Sequence, residues 1–210
     1  MKLRVCAALS ICLFAGSAFA INAGQLDDFE SGTAMQWSNG PSSPNQPFAV
    51  QEGDNWFVRN ISNGGSGPGS RMVLFNRAQW TGNYVSAGVS ALTMDLRNSG
   101  DTDLHIRLGL LAQTGTRTAT NQAYELSAGS DWTTVTFDIT DLTILFGSET
   151  VTDILSGVIE MRILSSVSVD YQADAIAGTL DVDNVRTGVP APGAGALFLL
   201  GAAGATRRRR

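Results

Sequence analysis

Along Asp103–Leu111 the aliphatic side chains fall at every second position. Leu104, Ile106, Leu108 and Leu110 share one face, while Asp103, His105 and Arg107 share the other. A period of two is the geometry of a strand, whose successive side chains point to opposite sides. One apolar face obliges such a strand to lie over a core. The alternation returns in Ala91–Arg97 (Leu92, Met94, Leu96), Thr133–Ile139 (Val135, Phe137, Ile139) and Val158–Leu164 (Ile159, Met161, Ile163). Strands with one polar face belong to antiparallel sheets. Shorter strands are expected at Leu26–Glu30, Phe48–Gln51, Asn55–Asn60, Arg71–Asn76, Gln122–Leu126 and Thr179–Arg186. A turn or two of helix is expected at Ile139–Phe146 and at Val151–Ser156. The Pro/Ser/Asn-rich stretch Asn39–Pro47 and the Gly-rich stretch Ser62–Ser70 read as loops. Many short strands between such turns predict an all-β fold, an antiparallel β-sandwich of the jelly-roll kind.

The two ends read differently. Residues 1–20 begin with Lys2 and Arg4, continue through the apolar stretch Val5–Phe14 and finish on Ala18-Phe19-Ala20. That order is a secretory signal peptide with a small-residue cleavage site. Both cysteines, Cys6 and Cys12, lie inside it, so residues 21–187 offer neither a disulfide nor a thiolate. Residues 188–210 hold a Pro-bounded turn, the short apolar run Ala194–Thr206 and four arginines, Arg207, Arg208, Arg209 and Arg210. The run falls short of the ~20 residues of a relaxed transmembrane helix. The arginine cluster stays on the cytoplasmic side and leaves the domain outside. Val189, Pro190 and Pro192, the hydrophobic run and the arginine cluster together resemble the PEP-CTERM sorting signal of Gram-negative bacteria. Ala191 stands where that signal usually has Glu. The resemblance implies membrane attachment through the tail, cleavage by an exosortase-type processing protease, and a protein at the cell surface or outside the cell. A plain C-terminal anchor is the alternative reading, and it too places the domain outside the cytoplasm.

Trimming the ends changes the charge. Residues 21–187 keep eight arginines, no lysine and all nineteen carboxylates, a net charge of −11. Such a surface repels a phosphate backbone, which excludes nucleic acid as a natural partner. It suits divalent cations and neutral polymers.

Three pieces of residues 21–187 carry a second resemblance. They are Asp27-Asp28-Phe29-Glu30-Ser31-Gly32 followed by Trp37, the stretch Ser130–Asp138, and Leu180-Asp181-Val182-Asp183-Asn184-Val185. They are similar to the first strand, a central strand and the last strand of galactose-binding-like carbohydrate-binding modules with a jelly-roll fold. The likeness implies polysaccharide as partner and one structural Ca²⁺ held by Glu30 and Asp183, with Asp28 as a third ligand. The residues point the same way. Asp28 and Glu30 are expected on one face of a strand with Phe29 on the other, and Asp181 and Asp183 repeat this at the far end. First and last strands are neighbours in a jelly roll, so these carboxylates would converge, and clustered oxygens favour a hard cation.

Ligand contacts are expected from Trp56, which precedes a Gly-rich loop, and from Trp80 and Tyr84 with their amide neighbours Gln79 and Asn83. An aromatic ring offers a sugar a broad amphipathic surface. Trp37 and Trp132 read instead as core or strand-edge anchors. The outward residues Asp95, Arg97, His105, Arg107, Glu160 and Arg162 either line a groove or form cross-strand ion pairs. His105 is the sole imidazole, and neither a G-x-S-x-G elbow nor an H-E-x-x-H motif accompanies it. The expected role is a non-catalytic, exported binding module for polysaccharide. A structural or adhesive envelope protein is the first alternative. A glycan-active hydrolase or lyase that works through paired carboxylates is the second.

Overall fold

The computed structural model describes residues 20–67 and 69–188. The expected secretory signal as far as Phe19, with both cysteines, and the expected sorting tail from Val189 to Arg210 lie outside the described residues. Twelve strands form two antiparallel sheets packed as a sandwich, and the jelly-roll expectation is met.

The first sheet runs β2 (Phe48–Glu52), β3 (Asn55–Asn63), β12 (Ala177–Gly188), β5 (Ala91–Asn98) and β9 (Thr133–Asp138), and β1 (Leu26–Asp27) adds to β12. The second runs β10 (Leu142–Phe146), β7 (Arg117–Thr120), β6 (Leu104–Ala112), β11 (Val158–Ser165) and β4 (Val73–Asn76), with β8 (Tyr124–Leu126) paired to β6. One short helix, α1 (Val151–Leu155), starts at a capping box in which the side chains of Thr150 and Asp153 each serve the other's backbone N–H.

The alternating aliphatics do what their period requires. Leu104, Ile106, Leu108 and Leu110 of β6 meet Leu92, Met94 and Leu96 of β5 in one core, all fully buried. The first and last strands are neighbours, with Leu26 opposite Arg186 and Asp27 opposite Val185. Three local expectations fail. The first strand stops at Asp27, because Phe29 takes φ +56° and turns its ring into the core. The segment Leu142–Phe146 is an edge strand, not a helix. Its partner β7 was too short to show a period. A bulge between Val158 and Glu160 puts Val158 in the core and leaves Ile159 exposed, reversing the expected facing of Ile159.

Candidate functional site

Trp80 and Tyr84, expected at a ligand, are fully buried. The Trp80 indole N–H donates to the carboxylate of Asp27 at 2.7 Å, and the Tyr84 hydroxyl donates to the carbonyl of Trp80 at 3.0 Å. Burial pushes the Tyr84 hydroxyl far above its usual range. The polar composition of the loop points to the surface, and Asn83 is there, but the two large rings turn inside, where Asp27 and the Trp80 carbonyl pair their polar atoms. Gln79 is also committed internally, donating to Asp27 at 3.0 Å and to the Met35 carbonyl at 2.5 Å. Trp56 is half-buried on the core side of β3, under Gly32, where an added methyl would sit 3.4 Å from the ring. Asn83 is exposed, accepts from Ser86 N–H at 2.7 Å and lines a depression of about 410 Å³ beside Arg77. Trp37 is a core anchor as expected, and Trp132 packs edge-on against Phe57 at 5.2 Å.

The metal candidates divide in a similar way. Asp28 accepts from the N–H of Glu30, which is turn geometry. Glu30 accepts from the N–H of Trp56 at 3.2 Å, and Asp183 accepts from Asn55 at 3.0 Å. Burial raises the pKa of Asp183, its bonds from Asn55 and the Asn184 N–H offset part of this, and the charges of Asp95 and Glu30 add to the rise. Glu30 and Asp95 thus act on Asp183 only through their charge, while Asp95 itself accepts from Thr134 and Asn184. Among the described residues no three acidic, His or Cys side chains gather about one point.

The outward face of the first sheet is closed by its own charges. Arg59 forks onto Asp181 at 2.7 and 2.9 Å. Arg97 reaches the same carboxylate at 2.9 Å and holds Glu52 at 2.8 and 2.9 Å. Both guanidiniums cover the ring of Phe57, at 5.5 and 4.9 Å. Arg97 of β5 and Asp181 of β12 thus form ion pairs, whereas Asp95 and Asp183 form none among the described residues. Beside them a depression of about 250 Å³ is lined by Asn55, Asp95, Trp132, Thr134 and Asp183.

The outward face of the second sheet is different. Strand register sets Phe146 opposite Arg117, Arg117 opposite Leu111, and Leu111 opposite Glu160. Arg77 reaches Glu160 from beyond β4. These five residues form one row, four of them on successive strands and Arg77 just past the end of β4. Phe75 stands opposite Arg162 in the neighbouring row, with Gly109 opposite Arg162 on the other side. Gly109 matters because a methyl there would sit 3.1 Å from the Tyr171 ring, which lies over the sheet at that point. Tyr171 donates to Glu160 at 2.5 Å and stacks 3.9 Å from the Arg162 guanidinium. Burial pushes the Glu160 carboxyl up, but Tyr171, Arg162 and Arg77 together hold it below its usual value. Arg107 pins the loop after β11 by donating to the carbonyls of Ser166 and Val167, each at 3.0 Å, and to those of Thr120 and Asn121, each at 2.9 Å.

What remains open on this face is aromatic and cationic. Phe146 is 67% exposed. Phe75 is half-buried and, with Gln36, Ser38 and Arg77, lines a depression of about 220 Å³. Arg117 is exposed and lies 5.9 Å from the Phe146 ring. Rings that can stack on sugar C–H faces stand beside donors that can bond hydroxyls or anions. Of this set the sequence reading included Arg162, Glu160 and Arg107 but not Phe75, Arg77, Arg117, Phe146 or Tyr171. No periodic signal marked the two strands that carry Arg117 and Phe146.

No family model and no curated protein matches the chain. Solved structures do match at the level of the fold. An exo-β-agarase matches at 13% identity over 81% of this chain, with a TM-score of 0.55. A second agarase matches at 11% identity over 80%, with a TM-score of 0.54. The chain spans about a quarter of the length of each agarase, 25% and 26%. A family 11 carbohydrate-binding module from Clostridium thermocellum, in complex with a β-1,3-1,4-mixed-linked tetrasaccharide, matches at 11% identity and a TM-score of 0.51. That match covers 80% of this chain and 96% of the module.

Proposed function

We propose that this protein is a non-catalytic polysaccharide-binding module and that the outward face of the second sheet holds the glycan. The row from Phe146 to Arg77 carries this reading. It sets exposed aromatic surface and unspent hydrogen-bond donors along a line that crosses four strands and ends at Arg77. The fold it shares with a module solved with a tetrasaccharide supports the same reading. The test is retardation of the protein in gels cast with soluble polysaccharides. Retardation weakened by Phe146→Ala supports the assignment, and free migration through every polymer refutes it.

A second reading rests on β10 itself. Ile144, Leu145 and Phe146 are exposed on a strand at the edge of its sheet, a template for pairing with another copy. This is the structural or adhesive alternative. Sedimentation at rising concentration separates it from a monomeric binder.

Three further assignments belong to the proposal. Glu30 and Asp183 would hold one calcium ion, with backbone carbonyls completing its oxygen shell. Residues 1–20 would direct export. The tail carrying Val189, Pro190, Pro192 and Arg207–Arg210 would be processed by an exosortase-type protease, leaving the domain at the surface or outside the cell. Intact-mass measurement of protein recovered from its native cell tests both ends, since retention of either segment contradicts its assignment.

A further inference from the structure

Residues 21–187 hold nineteen carboxylates against eight arginines, so an arginine should find an acid wherever it stands. On the first sheet Arg59 and Arg97 do: they share Asp181, and Arg97 also holds Glu52, while exposed Arg186 has no carboxylate partner among the described residues. Around Glu160 on the second sheet the ratio is reversed, although Glu125, opposite His105, adds an exposed carboxylate elsewhere on this face. Arg77, Arg117 and Arg162 flank one carboxylate, Glu160, which Arg77 and Arg162 share. Glu160 is itself fully buried, so it shows solvent little of its charge. Arg117 has no carboxylate partner among the described residues and lies over the rings of Phe146 and Tyr171.

Fold stability does not require this. The Arg117 guanidinium, set over the rings of Phe146 and Tyr171, makes no hydrogen bond among the described residues. Arg77 is 58% exposed beyond its bond to Glu160. Like charges gathered on one row of an otherwise acidic domain repel one another, and the arrangement becomes favourable when an anion is added. A guanidinium is a planar fork that matches a carboxylate or a sulfate ester with two parallel bonds. The row crosses four strand spacings, about 19 Å, so a polymer laid along it meets Arg117 and Arg77 at separated points. The Phe146 ring, 67% exposed, is placed to receive a sugar face near one end, while Phe75 lies beneath Arg77 and Arg162, 4.9 and 5.5 Å from their guanidiniums.

We infer that the polymer this face selects is an acidic polysaccharide, whose carboxylate or sulfate groups are taken by Arg117 and Arg77. The inference rests on the polysaccharide-binding reading above and names the ligand class within it. Only the charge, not the sugar, is assigned.

The experiment compares the full chain on four polymers: alginate (a polyuronate), ι-carrageenan (a sulfated galactan), agarose and mixed-linkage β-glucan. Binding to alginate or ι-carrageenan about tenfold or more above both neutral polymers is expected, as one charge-assisted bond supplies that ratio. It should weaken as salt rises. Arg117→Gln should lower it about tenfold, while Arg186→Gln, which removes the same charge from the first sheet, should leave it in place. The first two polymers separate carboxylate from sulfate. Equal or stronger binding to the neutral polymers overturns the acidic preference and leaves polysaccharide binding standing. Equal loss in both arginine variants also overturns it, since net charge alone would then explain the attraction. No binding to any of the four refutes the broader reading as well.

Discussion

The indole of Trp80 donates its N–H to the carboxylate of Asp27 at 2.7 Å, across 53 residues of sequence. Trp37 donates to the same oxygen at 2.8 Å, and Gln79 at 3.0 Å. One buried carboxylate thereby joins the first strand to two loops, without a cation. Asp27→Ala leaves two buried indole N–H groups unpaired, at about 1–3 kcal/mol each. A fall of about 2–5 kcal/mol in unfolding free energy is expected from urea titration. A change of less than about 1 kcal/mol would show that the loops hold without this junction.

The same carboxylate has a pH signature. Burial raises its pKa in the folded state, the bonds from Trp80, Trp37 and Gln79 offset part of the rise, and the charge of Asp28 adds to it. A raised value means that the folded protein holds this proton more tightly than the unfolded chain. The group's contribution is therefore complete below its unfolded pKa and is lost as pH rises through the folded one. Wild type should gain stability relative to Asp27→Asn as the pH is lowered from 7 toward 4. Parallel curves for the two proteins over that window would contradict the assignment.

Glu160 runs the other way. Although burial opposes it, the bonds from Tyr171, Arg162 and Arg77 depress its folded pKa. Its contribution is present above the unfolded value of 4.5 and is lost as pH falls through the folded one. Wild type should lose stability relative to Glu160→Gln as the solution is acidified below that value. Glu160→Ala at neutral pH leaves Arg162 without its carboxylate partner and should cost about 3–5 kcal/mol. Chemical denaturation of the three proteins across pH reads both effects.

Much of this fold could be read from residue order, because strand period and burial are local properties. Leu104 to Leu110 declare their facing without knowledge of any partner. The functional face was legible only in part, because it is made by register. Nothing near Phe146 indicates that Arg117 stands opposite it, or that Leu111 then leads to Glu160. Burial of polar-looking loops was hidden for a related reason. Gln79-Trp80-Thr81-Gly82-Asn83-Tyr84 has the composition of surface, yet Asp27 supplies the partner that lets Trp80 go inside. In an intact strand Asp28 and Glu30 point together and stand out over Asp27. The positive φ of Phe29 breaks that alternation.

Calcium gives a direct measurement at the first and last strands. Asp183 carries a raised pKa through burial, with Asp95 and Glu30 adding like charge, and a divalent ion there would relieve the repulsion. Any ligand that binds only the folded state raises the midpoint of melting. Melting after EDTA and again with added calcium should show the higher midpoint with calcium, and Asp183→Asn should reduce the difference. Identical midpoints with and without the ion would remove calcium from this site.

Phe57 and Phe146 separate stability from binding. Both rings project outward, one from each sheet. Phe57 is 0% exposed beneath Arg59 and Arg97, with Trp132 against its edge, whereas Phe146 is 67% exposed. Removing a covered ring forfeits packing, so Phe57→Ala should cost about 3 kcal/mol or more in unfolding free energy. Its retention by polysaccharide should not change as long as the protein is folded. Phe146→Ala removes a ring that already faces water, so its melting should stay close to wild type while its retention falls. If Phe146→Ala melts early and binds normally, that ring supports the sheet edge, and the glycan must lie elsewhere.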